Sequence, residues 1–158
     1  MLLGTGHSRF SLAAAAGLAL LALAAPSRMS GRQEPSVEEL KGRVANVAVG
    51  DRPALCIRIS ERQLGDADRL YIAGDSDKAK ASLADVVAYA ELARDYAIQS
   101  RKREKQSEIA LRKMVRKLTD MSHAVSHEDQ AQIQNTIDRL QKVRDDLLVA
   151  MFPKVDNK

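Results

Sequence analysis

The chain contains few of the residues that stabilise small secreted domains or stack against nucleic acids. Among its 158 residues are one cysteine, no tryptophan, three tyrosines and two phenylalanines. The single cysteine, Cys56, cannot form an intramolecular disulfide, and its apolar neighbours in ALCIRI predict a buried, unreactive thiol. The alternative is a reactive thiol or a disulfide to another chain. The scarcity of aromatic rings removes the stacking surfaces on which single-stranded nucleic acids bind.

Recognisable catalytic motifs are absent as well. The sequence has no P-loop, no G-x-S-x-G and no C-x-x-C pattern. Only about three short loops are predicted, whereas active sites are usually built from loops held on a scaffold. We therefore expect a protein that is not an enzyme and that binds no cofactor.

Long apolar runs are missing except near the N-terminus, where residues 10–25 read FSLAAAAGLALLALAA. This run is shorter and richer in alanine than a membrane span of about 20 strongly apolar residues. It ends in an A-x-A pattern, which predicts a secretory signal peptide over residues 1–24, cleaved near Ala24. The sequence thus predicts export to the periplasm or the medium. The alternative is retention of the apolar run as an N-terminal anchor.

Three further segments follow the predicted signal peptide. Residues 25–36 are polar and include two prolines and a glycine, so they predict a flexible linker. Residues 37–152 hold the apolar periodicity of a helical domain, which is long enough for a modest core. Residues 153–158 are expected to form a disordered tail.

Helix-start signals recur along the helical domain. Ser36 and Glu39 have the spacing of a capping box, which predicts a helix over about 37–48. Asp51 is placed to cap a second helix, with Pro53 tolerated in its first turn. The only strand-like pattern is RVANVAV, which is too short to found a sheet. The predicted fold class is therefore all-α.

Two architectures fit the helical periodicity. No glycine or proline lies between Gly74 and Pro153, and the heptad phase continues through the polar stretch QSRKREKQSE. We therefore expect a long central helix over about 76–125, flanked by antiparallel helical hairpins that fold back along it. The alternative is a compact four-helix bundle, because the polar stretch offers no apolar inward positions. A long helix would leave an apolar stripe uncovered and would favour self-association.

The segment ADRLYIAGDSDKAKASL at 67–83 resembles the middle of a tetratricopeptide repeat. The matching positions are Ala67, Leu70, Tyr71, Gly74 and Ala79. The resemblance implies a helical hairpin but no repeat array, since no second copy follows at a period of about 34 residues. As a whole, the chain also resembles small exported all-helical bacterial proteins, a resemblance that implies no particular activity.

Positive charge is concentrated in one segment. The formal net charge is +4, yet residues 101–117 alone carry eight basic and two acidic side chains. The basic ones are Arg101, Lys102, Arg103, Lys105, Arg112, Lys113, Arg116 and Lys117. The simplest interpretation is a solvated helix face beside the acidic hairpin at 61–95. The functional alternative is contact with a polyanion, either anionic lipid or an envelope polymer; export argues against nucleic acid.

His123 and His127 raise a separate hypothesis. Their spacing of four would place both rings on one face of a continuous helix, where Glu128 or Asp129 would supply a third zinc ligand. Ser126, however, opens an S-x-x-D pattern ahead of the next apolar run, which predicts that it caps a new helix. We expect this corner between two helices and no metal site; a continuous helix would reverse that preference.

These observations predict an exported helical binding or scaffold protein. It would act through protein–protein contacts with an unknown partner or with a second copy of itself. The alternative function is binding of anionic lipid or envelope polymer through residues 101–117.

Overall fold

The computed structural model of the protein describes residues 34–153. The predicted signal peptide, the linker as far as residue 33 and the tail beyond Pro153 lie outside the described residues. Five α-helices make up most of the described chain: α1 Val37–Arg43, α2 Arg52–Ile72, α3 Ser76–Ser100, α4 Glu104–Ser122 and α5 His127–Met151. Residues 34–153 contain no strand, so the all-α prediction is confirmed.

The start of α1 follows its local sequence signal. Ser36 has an extended backbone, its Oγ accepts the Glu39 amide, and the Glu39 carboxylate accepts the Ser36 amide. This is the predicted capping box. The helix is shorter than expected, because it ends at Arg43 and gives way to two short 3-10 turns, Val44–Asn46 and Val49–Asp51.

The turn between α2 and α3 also follows the sequence. Gly74 has a φ of 78°, a left-handed conformation that glycine adopts without a steric cost. The Asp75 amide donates to the Leu70 carbonyl at 2.9 Å, and the Gly74 amide donates to the Tyr71 carbonyl at 3.0 Å, which closes α2. The Asp75 side chain then caps α3 by accepting the Lys78 amide. A helical hairpin is therefore present at 67–83.

The helices form two antiparallel hairpins that pack side by side. In the first, α2 pairs with α3, and Ser60 Oγ donates to the Val86 carbonyl at 3.0 Å across their interface. In the second hairpin, α4 packs antiparallel to α5. The hairpins meet with α3 parallel to α5, because Ser76 contacts Asp129 near the start of both helices and Arg94 contacts Asp146 near their ends, each at 2.9 Å. Helix α2 lies parallel to α4 with fewer contacts. The result is a four-helix bundle, with α1 packed against α2.

The core lies between these four helices. Its fully buried side chains are mostly leucine, isoleucine, valine and alanine, including Ile59, Leu83, Val86, Ala97, Leu111, Leu118, Ile133, Leu140 and Leu147. Buried positions of α3 recur in α5 at one constant spacing: Leu83 matches Ile133, Val87 matches Ile137, and Ala97 matches Leu147. The two hairpins thus present their core faces in the same register.

The predicted long central helix over 76–125 is wrong. The chain leaves the helix after Ser100 and begins α4 at Glu104, so the compact four-helix bundle is the observed architecture. Arg101 and Arg103 make the reversal with left-handed φ values of 52° and 63°. The Lys102 amide donates to the Ala97 carbonyl at 3.3 Å, which closes the end of α3. A turn of this kind is usually marked by glycine, and here arginine occupies both left-handed positions.

Candidate anion-binding surface

Three basic residues form the turn at one end of the bundle. Arg101, Lys102 and Arg103 are all exposed. Arg103 Nη2 lies 3.4 Å from Asp51 Oδ1, an exposed ion pair beside the start of α2. The stem of Lys102 crosses Gly50, where an added Cβ would lie 2.6 Å from Lys102 Cδ. The polar stretch that was expected to continue a helix is therefore a cationic corner.

The other basic residues lie along α4. Lys105, Arg112, Lys113 and Arg116 are exposed, and their spacings of seven, eight and eleven from Lys105 place them on one side of the helix. Lys117 lies at the edge of this face and pairs with Asp68 of α2 at 3.0 Å. Within residues 34–153, Lys105, Lys113 and Arg116 form no ion pair. We call the turn 101–103 and these α4 residues the basic surface.

One carboxylate of residues 101–117 is buried and is not exposed on the basic surface. Glu108 is only 6% exposed. Its Oε1 accepts from Arg144 Nε at 2.8 Å, and its Oε2 accepts from Arg112 at 2.9 Å. The hydrogen bond from Arg144, with the charge of Arg112, holds the pKa of the Glu108 carboxyl below its ordinary value. This buried negative charge is therefore already engaged by two guanidinium groups.

An apolar patch that the sequence did not lead us to expect lies at the same end of the bundle. Val149, Phe152 and Ile98 are 70%, 72% and 38% exposed. Ile98 and Val149 line an open groove together with Arg101 and Glu104, and Val149 also lines an apolar cleft with Phe152. The available signal was the run of six apolar residues, LLVAMF, because one face of a helix cannot bury all six.

The two histidines lie at a corner, as predicted. Ser126 has an extended backbone with φ −60° and ψ 155°, and its side chain accepts the Asp129 amide. His123 follows the end of α4, and His127 begins α5. The two histidines line a shallow groove, where His127 Nδ1 is 3.4 Å from Gln130 Oε1.

The candidate zinc ligands His123, His127 and Glu128 are divided between the end of α4 and the start of α5. The described residues contain no group of three or more His, Cys, Asp or Glu side chains positioned to hold a metal ion. Glu128 is exposed in the first turn of α5 and does not join the two histidines in such a group. Because the helix is interrupted at Ser126, the two imidazole rings do not lie on one face of a continuous helix, as the zinc hypothesis requires.

The carboxylate of Asp129 forms a buried polar cluster beside this corner. Ser126 Oγ and Ser76 Oγ donate to Asp129 Oδ2 at 2.8 and 2.9 Å, and Lys80 Nζ lies 3.2 Å from Oδ1. The hydrogen bond from Ser126, followed by those from Ser76 and Lys80, lowers the pKa of the Asp129 carboxyl. These contacts join the N-terminus of α3 to that of α5, so this cluster has a structural role.

Cys56 is fully buried in the core, as its apolar neighbours predicted. Burial raises the pKa of its thiol to about 11, because the thiolate is poorly solvated in an apolar environment. The thiol is therefore protonated at neutral pH and shielded from solvent.

In comparisons with known proteins, no family model, curated protein or solved structure matches the chain. Within residues 34–153, every helix is too short or too polar to traverse a lipid bilayer. The function therefore has to follow from the surface chemistry of the chain itself.

Proposed function

We propose that the protein is an exported helical binding protein whose basic surface contacts a polyanion, either anionic lipid headgroups or an anionic envelope polymer. The observation that carries this proposal is the group of exposed cations at Lys105, Lys113 and Arg116. They share one side of α4 and have no acidic partner within the described residues. The cationic turn 101–103 extends this surface to the end of the bundle.

The described part of the chain has no formal net charge, yet positive charge is concentrated on the basic surface. Residues 34–153 contain as many acidic as basic side chains, so a net positive charge does not account for the basic surface. Lys113 and Arg116 are three residues apart and therefore neighbours on the helix surface, within the Debye length of about 8 Å, so they repel each other at physiological salt. A polyanion relieves this repulsion, and each cation near an anionic lipid surface contributes about 1 kcal/mol to binding.

The sequence also predicted a scaffold that binds another protein or a second copy of itself. One ground for self-association was the stripe that a long helix would leave uncovered. In the bundle, this stripe is buried between the hairpins, with Ala97 and Leu111 both fully enclosed. Scaffolding remains a prediction, but the uncovered stripe no longer supports it. Export also remains a prediction, because it rests on residues outside the described part of the chain.

The proposal is tested by measuring binding to dextran sulfate and to anionic vesicles as a function of salt. The variant Lys105→Gln, Lys113→Gln, Arg116→Gln removes three cations of the basic surface. We expect its affinity for both ligands at low salt to fall about a hundredfold, since three contacts of about 1 kcal/mol are lost.

The matched control removes three cations elsewhere, by Arg43→Gln, Arg58→Gln and Arg139→Gln on α1, α2 and α5. The control should keep most of the affinity of the unmodified chain. An equal loss in both variants, or no binding of the unmodified chain to either ligand at low salt, would refute the proposal.

A further inference from the structure

We infer that the end of the bundle formed by the turn 101–103 and the C-terminus of α5 docks on an anionic lipid bilayer. The inference rests on the proposed function and names an anionic bilayer as the partner of the cationic turn 101–103, the part of the basic surface that lies at this end. The docking end combines cations of the turn with the exposed apolar side chains of Ile98, Val149 and Phe152. We call these three side chains the apolar tip.

The groove at this end brings the two kinds of side chain together. Arg101 lines it with Glu104, Ile98 and Val149, so one basic and one acidic residue border two exposed aliphatic side chains. Val149 also borders the cleft that contains Phe152 and Pro153. The apolar tip is thus continuous from α3 to the end of α5, with Arg101 and Glu104 along one border.

This combination fits the interface of a bilayer. Anionic headgroups attract the cations of the turn, while the boundary between headgroups and acyl chains accepts apolar side chains to a depth of about 5–10 Å. Val149 and Phe152, more than two-thirds exposed, would be removed from water on docking. An anionic polymer satisfies the cations but has no hydrocarbon to receive the apolar tip. The chemistry therefore favours lipid over polymer.

A second copy of the chain fits this end poorly. The interface of an obligate dimer is large and hydrophobic, like a domain core cut in half, whereas the apolar tip consists of Ile98, Val149 and Phe152. A two-fold dimer through this end would also bring the cationic turn of one copy close to that of the other. Both considerations favour a partner that is negatively charged and apolar just below its surface.

The first experiment compares vesicle binding by the full chain and two variants. Vesicles of phosphatidylcholine with about 30% phosphatidylglycerol are the probe, and dextran sulfate is the polymer without hydrocarbon. Val149→Ser with Phe152→Ser removes most of the apolar tip. We expect its affinity for the vesicles to fall about a hundredfold, because two apolar side chains are lost and each contributes roughly tenfold. Its affinity for dextran sulfate should stay unchanged.

The matched control is Ile72→Ser, since Ile72 is 83% exposed where α2 ends, at the opposite end of the bundle. It should bind the vesicles as tightly as the unmodified chain. Because all these positions are exposed, circular dichroism should show the same helicity in every variant.

A local readout separates docking through this end from lipid contacts made elsewhere, including by residues 10–25. An environment-sensitive dye is attached through Pro153→Cys in one protein and through Ile72→Cys in another. Anionic vesicles should shift the emission of the dye at position 153 to shorter wavelength and leave the dye at 72 unchanged.

The failures of the two proposals are distinguishable. If the basic-surface variant loses affinity for the vesicles but the apolar-tip variant does not, or if the dye at position 153 does not respond, docking through this end is refuted and polyanion binding stands. If the unmodified chain binds neither vesicles nor dextran sulfate at low salt, both proposals fail.

Discussion

Arg144 Nε on α5 donates a hydrogen bond to Glu108 Oε1 on α4 at 2.8 Å, inside the second hairpin. The Glu108 carboxylate is almost fully buried, whereas Arg144 is about one-third exposed and Arg112 about half exposed. A buried charge depends on its partners because the protein interior does not solvate it as water does. The stability of the bundle should therefore depend strongly on this contact.

Glu108→Gln should lower the free energy of unfolding by about 2 kcal/mol, because two charge-assisted hydrogen bonds lose their ionised acceptor. The measurement is urea denaturation followed by circular dichroism. Glu61→Gln on the exposed face of α2 is the control and should change stability by less than about 0.5 kcal/mol. Equal effects of the two substitutions would contradict a structural role for the buried pair.

Arg101→Gly should be about 1 kcal/mol more stable than Arg101→Ala. Both substitutions remove the same charge, but only glycine adopts the left-handed conformation at no steric cost. In a continuous helix, the order would reverse, because glycine is about 1 kcal/mol worse than alanine in a helix interior. Thermal and urea unfolding of the two variants thus distinguish the turn from the long helix.

The stabilising effect of Asp129 should depend on pH. Since the folded state lowers the pKa of its carboxyl below the ordinary value of 3.8, the contribution is fully present above that value. It is lost as the pH falls through the folded-state pKa. Asp129→Asn should therefore destabilise the protein at pH 7 and have a progressively smaller effect below about pH 4. Denaturation curves at a series of pH values measure this.

Asp145→Asn is the matched control for the pH series, because Asp145 is exposed on α5. It should have little effect on unfolding at any pH. A constant effect of Asp129→Asn down to pH 2 would show that the buried polar cluster does not depend on the charge of the carboxylate.

Cys56 should react with a thiol reagent only when the protein unfolds. Its side chain has no exposed surface, and burial raises the pKa of the thiol to about 11. At pH 8, the folded chain should therefore be labelled at least a hundred times more slowly than the chain in concentrated urea. Rapid labelling of the folded chain would point to an opening of the core around α2.

The helix ends at Ser36, Gly74 and Ser126 were predictable because each depends on its neighbours in sequence. A capping hydroxyl needs an amide three residues later, and a left-handed closure needs a residue without a Cβ. Both requirements are visible in a few consecutive letters. The buried thiol of Cys56 was predictable for a similar reason, since its neighbours are apolar.

The turn at 101–103 was not predictable from those signals. Arginine rather than glycine occupies its two left-handed positions. The heptad phase also favoured one continuous helix. Ala97 and Leu111 are two heptads apart and both buried, yet they belong to antiparallel helices. The clearest remaining signal was the stretch QSRKREKQ at 99–106, in which two helical turns pass without an apolar residue.

The charge of the candidate surface could be predicted from composition, but its shape could not. The sequence placed eight basic residues in one segment, and the bundle divides them between a turn and a helix face. The apolar tip depends on which residues the second hairpin leaves uncovered. Which residues stay uncovered depends on how α3 packs beside α5. The nearness of Ile98 to Val149 follows only from that packing.

The short turns within the two hairpins have a consequence for the order of folding. Ser60 meets Val86 after 26 residues and Glu108 meets Arg144 after 36, whereas the contact of Arg94 with Asp146 between the hairpins spans 52. Loop-closure entropy rises with the length of chain enclosed. Each hairpin should therefore form before the two join, and local contacts of this kind give helical bundles folding times of about microseconds to milliseconds.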